Sequence, residues 1–121
     1  MQSIGKKGED RAVEFLKEKD YKILERNYRF KKSEVDLICQ KEDLLVFVEV
    51  KTRRSKTYGY PESFVSANQQ KAIIRASQEY VIANSWEGDI RFDIVAILEL
   101  KGRSEVEHFK DAFYWPRRGE V

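Results

Sequence analysis

The stretch SEVDLICQKEDLLVFVEVKTR, residues 33–53, decides how the chain reads. Val35 to Cys39 and Leu44 to Val50 are apolar and rich in β-branched residues. The polar run Gln40-Lys41-Glu42-Asp43 separates them, which is the pattern of a β-hairpin. Two carboxylates break these runs where a packed core would not place them. Asp36 opens Asp36-Leu37-Ile38-Cys39, and Glu49 interrupts the run from Leu44 to Lys51. Side chains alternate along a strand, so Glu49 and Lys51 share a face with Leu45 and Phe47. A turn at Glu42-Asp43 sets Asp36 directly opposite Glu49, and Glu34 opposite Lys51, although no Asn-Gly or Asp-Gly pair fixes that register. Like charges opposite each other on neighbouring strands repel. In a half-dry site such a pair needs a cation between its members or a raised pKa on one. Mg²⁺ is a hard ion that takes one or two carboxylates and keeps several waters, so a divalent metal suits this pair. The plainer readings are a strand-end carboxylate in water for Asp36 and a solvent-facing ion pair for Glu49 with Lys51.

Outward from the hairpin, the flanking segments complete an α/β pattern. Ile4 to Lys19 reads as a helix whose apolar face holds Ala12, Val13, Phe15 and Leu16. Glu9 falls on the same flank, where a carboxylate could reach the sheet and join Asp36 and Glu49; alternatively it complements the helix dipole from the first turn. Tyr21 to Phe30 reads as a strand of mixed character. Thr52 to Phe64 contains Tyr58, Gly59, Tyr60 and Pro61 and reads as a loop. Ser66 is placed to cap a helix running to about Asn84, with Gln69, Ala72, Ile73, Ala76, Tyr80 and Ala83 along one stripe. Arg91 to Leu100 and Val106 to Phe113 read as the last strands. The resulting order, αβββαβ with a further β, predicts a sheet with helices packed on it.

Composition excludes several classes. The 121 residues suit one domain, residues 1–121, and 41% hydrophobic content with 12% aromatics argues against disorder. No apolar run approaches the roughly 20 residues of a membrane helix. The charged start MQSIGKKGEDR has no signal-peptide pattern, so the expectation is a soluble, cytoplasmic protein. The lone Cys39 reads as a small buried hydrophobe, and no Cys/His cluster has zinc spacing. His108 has no hydrolase partner pattern and reads as structural or exposed. Trp86, Tyr114 and Trp115 read as core or packing residues, while Tyr58 and Tyr60 are better placed to stack on bases.

A net charge of +2 does not announce a nucleic-acid binder, but its distribution is one-sided. Lys51, Arg53, Arg54, Lys56, Lys71 and Arg75 stand against the single acid Glu62, whereas acids outnumber bases from Trp86 onward. A local basic segment suits phosphates; the alternative is a solvated loop that keeps the protein soluble.

Taken as an ordered set, Glu9 on a helix, Asp36, and Glu49-Val50-Lys51 after a hairpin resemble the PD-(D/E)xK nuclease superfamily. Within it the chain is most similar to the YraN-type family of predicted endonucleases, distantly similar to archaeal Holliday-junction resolvases. The segments Gly8 to Ala12, Ser33 to Ile38, Phe47 to Arg53, Arg91 to Val95 and His108 to Phe113 carry the likeness. Val35 stands where the superfamily name has Pro, and Ser33 where the family usually has Gly. The resemblance implies a restriction-endonuclease-like αβββαβ core, a mixed central sheet flanked by helices. It implies a site of Glu9, Asp36, Glu49 and Lys51, with Gln69 as the helix-borne polar residue. Asp36, Glu49, the Val50 carbonyl and Glu9 would hold Mg²⁺ or Mn²⁺, and Lys51 would orient or deprotonate water. Arg53, Arg54, Lys56 and Lys71 would bind DNA, branched or junction DNA among the substrates. A homodimer is expected because a domain this small contacts few base pairs. The rival readings are a nucleic-acid-binding module of the same fold without turnover, and a protein-interaction domain whose charges are surface ion pairs.

Overall fold

The computed structural model describes residues 4–54 and 65–114, with side chains from residue 7 onward; Lys56, Tyr58, Tyr60 and Trp115 lie outside them. The elements are α1 (Ile4–Glu18), β1 (Lys22–Phe30), β2 (Ser33–Lys41), β3 (Leu44–Arg53), α2 (Ala67–Ala83), β4 (Asp89–Leu100) and β5 (Arg103–Phe113). The strands form one sheet in the order β1-β2-β3-β4-β5. Pairing is antiparallel except between β3 and β4, which run parallel. The αβββαβ order and mixed sheet are therefore those of a restriction-endonuclease-like core, with β5 added at an edge.

Each face of the sheet carries one helix. Ala12 and Leu16 of α1 bury Leu37, Cys39, Val46, Val48, Val95 and Ile97. Ile73, Ala76 and Tyr80 of α2 bury Ile38, Leu45, Phe47, Phe92 and Ile94 on the other face. Central strands covered on both sides need apolar side chains at successive positions, which is why Leu45 to Val48 and Ile94 to Leu98 read as unbroken runs. Cys39 is fully buried, and burial pushes its thiol up to about 12.

Local chemistry sets the joints. The hairpin turns at Glu42, whose φ of 55° is left-handed, and the Gln40 amide donates to its carbonyl. Ser66 and Gln69 form a reciprocal capping box, Gln69 N–H to Ser66 Oγ at 3.2 Å and Ser66 N–H to Gln69 Oε1 at 2.9 Å. Gly8 lets α1 approach the end of β3: a Cβ there would collide with Thr52 Oγ1 and reach Ile97. Trp86 packs against the α2-side core, but Tyr114, expected in a packing role, is 70% exposed just beyond the last strand. No helix among the described residues is long and apolar enough to cross a membrane.

Candidate functional site

The hairpin pairs Leu37 with Val48, Cys39 with Val46 and Lys41 with Leu44. That is the register expected from a turn at Glu42-Asp43, and it brings Asp36 to Glu49. The ladder closes at Leu37–Val48, and one step beyond it the Asp36 carboxylate takes over: Val50 N–H donates to Oδ2 at 2.8 Å. A residue in an extended strand points its N–H and C=O to the same edge, so the Val50 carbonyl faces the β2 side too. Glu34, expected opposite Lys51, instead pairs with Arg29 of β1 at 3.2 Å, because the β2–β3 ladder has already ended.

Glu49 and Lys51 lie on the α2 face, continuing the line of Leu45 and Phe47. The Lys51 ammonium is 3.4 Å from Glu49 Oε2, with the two side chains 19% and 12% exposed. This is a half-buried pair and not a solvated one. Burial raises the Glu49 carboxyl most, the hydrogen bond and charge of Asp36 add to it, and Lys51 opposes them; the result is about 8. Glu49 therefore holds a proton at neutrality and shares it with Asp36.

A proton is the smallest answer to two carboxylates in one half-dry place; a divalent cation is the other. The donor set fits such an ion: two hard carboxylates, with the Val50 carbonyl aimed to the same edge. Among the described residues, however, no group of three or more acids, histidines and cysteines gathers to hold a metal. Glu9 lies on α1, and its partners are Arg26 Nε and the Asn27 amide of β1, both at 3.0 Å. These hydrogen bonds and the Arg26 ion pair all fall on Oε1. The side chain is 13% exposed.

The connection from β3 through α2 to the parallel β4 starts α2 at the end of the sheet where β3 finishes. Gln69 stands there, in line with Ile73, Ala76 and Tyr80, but it is exposed and its side chain serves the capping box. Lys71 is exposed two positions further on. Arg53 is half-buried, donating from Nη1 to the Thr52 carbonyl at 3.1 Å, and Arg54 is exposed.

A second polar cluster is buried nearer the other end of β4. Asp93 is fully buried and receives Arg91 Nε at 2.8 Å, Arg91 Nη2 at 2.7 Å and the Asp111 N–H at 3.0 Å. His108 Nε2 lies 2.6 Å from its Oδ2. Burial works to raise the Asp93 pKa, but the hydrogen bonds from His108, Arg91 and Asp111 outweigh it and hold the carboxyl below the usual range. His108 is accordingly a structural histidine, its side chain 8% exposed. Sequence reading attached no chemistry to Asp93; the only signal was a charged residue inside an apolar strand.

A model of the uncharacterised protein family UPF0102, the YraN family, matches residues 8–97. The chain belongs to this family. The match takes in α1 from Gly8, the hairpin with Asp36, Glu49 and Lys51, all of α2, and Asp93. A UPF0102 protein of Flavobacterium psychrophilum is 50% identical over 111 residues, which cover 92% of this chain and 93% of the relative. UPF0102 proteins of Flavobacterium johnsoniae and Chloroherpeton thalassium are 47% and 45% identical, covering 92% and 93% of this chain and 94% and 89% of those relatives. A UPF0102 chain is thus similar to its relatives along nearly its whole length.

Proposed function

We propose that the protein is a divalent-metal-dependent endonuclease that hydrolyses phosphodiester bonds in DNA. The observation that carries this reading is the half-buried Glu49 set beside Asp36, with Lys51 at 3.4 Å. A protein with no use for two carboxylates there would lose little by replacing one. Asp36, Glu49 and the Val50 carbonyl would hold Mg²⁺ or Mn²⁺, and Glu9, held by Arg26 and Asn27 on the α1 side, would contribute through water. When bound, the ion would supply a water of lowered pKa and offset charge on the phosphate oxygens.

The chain's own groups do the remaining work. Asp36 ties β2 to the Val50 N–H, which holds the two strands in register at the reacting end. Glu49 would release its proton to solvent on binding a cation. Lys51 Nζ, steadied by Glu49, directs an N–H at the attacking water and at the charge building on the phosphoryl oxygens. Arg53, Arg54 and Lys71, with Lys56, would grip phosphates along the strand and set its path past Lys51. Gln69 would help only where a substrate draws it out of the capping box.

The test is cleavage of single-stranded, duplex, flapped and four-way-junction DNA at modest salt, each with Mg²⁺, Mn²⁺ or EDTA. Metal-dependent products lost in folded Glu49→Ala and Asp36→Ala, with DNA binding retained, are the expected result. Salt-sensitive binding without any product would identify a non-catalytic DNA-binding module instead.

A further inference from the structure

On the α1 side of the sheet lies a cavity of about 250 Å³ lined by Phe15, Lys19, Tyr21, Lys41, His108 and Lys110. Its three lysines come from three places in the fold: just past α1, the end of β2, and β5. None is in an ion pair with a described residue, and no acid lines the cavity. Two of the ammonium groups rest on aromatic faces, Lys41 at 5.0 Å from the Tyr21 ring centre and Lys19 at 5.8 Å from that of Phe15. A ring positions a cation without neutralising it, so the N–H groups remain available to an anion.

The wall behind them is built and rigid. His108 meets Phe15 and Tyr21 edge-on, ring centres 6.0 and 5.8 Å apart, and is anchored on the buried Asp93. Arg91 offsets the Asp93 charge through two hydrogen bonds. Its Nη2 also donates to the Tyr21 hydroxyl oxygen at 2.8 Å, which leaves the Tyr21 O–H to donate elsewhere. The buried network is therefore balanced, and the excess charge of the cavity is that of the three lysines.

We propose that this cavity is a binding site for a phosphate monoester. Three cations lining one small concavity, with no acid in its walls, match a dianion with several acceptor oxygens. The volume falls below the usual small-molecule range, so the site takes the phosphate and little beyond its ester carbon. It is separate from the carboxylate pair. Lys41 is the last residue of β2 and lies five residues beyond Asp36, about 17 Å along the strand. The cavity also opens on the face opposite Glu49 and Lys51. Two sources carry this chemistry, a free nucleotide and the 5′ end of a nucleic-acid strand.

The test uses the whole chain in EDTA, following backbone amide NMR signals during titration with inorganic phosphate, AMP, and one short strand with either a 5′ phosphate or a 5′ hydroxyl. Saturable shifts at Tyr21, His108 and Lys110 are expected, with the phosphorylated strand binding at least tenfold tighter than the hydroxyl form or AMP binding tighter than both. The first outcome assigns the site to strand ends and the second to free nucleotides. The surface double variant Lys41→Gln/Lys110→Gln should weaken binding at least tenfold while its spectrum stays dispersed. Equal affinity for AMP and both strands, shifts confined to other surfaces, or unchanged binding by the double variant would overturn the proposal.

Discussion

Replacing Glu49 by Gln removes an ionisation and keeps a side chain that can still donate to Asp36. In the native protein this carboxyl titrates near 8, against 4.5 for an unhindered one. The folded state therefore holds a proton that the unfolded chain has released across that interval. Its contribution is present below the unfolded value and is lost as pH rises towards the folded one. Each pH unit well inside the interval costs up to about 1.4 kcal/mol, so from pH 5.5 to 7.5 the group costs about 2–3 kcal/mol. Glu49→Gln has no such cost. Urea unfolding followed by tryptophan fluorescence in EDTA, repeated through that range, should show the native protein losing about 2–3 kcal/mol more than the variant. The comparison is of slopes, so titrating groups that do not touch Glu49 cancel. Parallel profiles for the two proteins would refute the reasoning, for they would mean that Glu49 is ionised and solvated in the fold.

Three further outcomes follow from the geometry. Because Glu49 keeps its proton below about pH 8, Mn²⁺ binding at Asp36 and Glu49 must displace it; affinity measured by calorimetry should rise up to about tenfold per pH unit from 6 towards 8, and a flat profile would mean that binding displaces no proton from Glu49. Asp93→Ala strands the Arg91 guanidinium and His108 without their acceptor and should cost about 3–5 kcal/mol in denaturant unfolding. The native protein loses that contribution as pH falls through the lowered Asp93 value, so the gap between the two should narrow in acid. Gly8→Ala gains about 1 kcal/mol of helix propensity but meets Thr52 Oγ1, an overpacking cost of about 1–3 kcal/mol; it should lower Tm in the native background and raise it with Thr52→Ala, whereas the same sign in both would refute the contact.

The order of elements and the pairing of Asp36 with Glu49 were legible in the sequence because both are local. A two-residue turn between apolar runs fixes which residues face each other, and strand alternation fixes which side they take. Ser66 announced the start of α2 for the same reason, since a cap acts within a few residues; that Gln69 closes a capping box with it is seen only in the structure. The resemblance of the ordered set to one family carried further than any single motif, and the match to the UPF0102 model bears out that membership.

Glu9 shows where locality ends. Its helical phase put it on the sheet side, but Arg26 and Asn27 lie on a strand that the helix pattern does not mention, and they claim its Oε1. The same limit hid the three lysines. Lys19, Lys41 and Lys110 are ordinary surface cations in sequence, and no spacing relates them. They converge because α1 packs across the sheet while β5 joins β4 at its edge, with an irregular step between Phe92 and Ile94. That step brings the Asp111 N–H to Asp93, on which His108 is also anchored. Strand alternation, helix phase and caps are properties of a few consecutive residues, and the chain specifies them directly. Which buried acid meets which base, and which cations share a cavity, depends on packing between elements distant in sequence, and only the folded structure decides it.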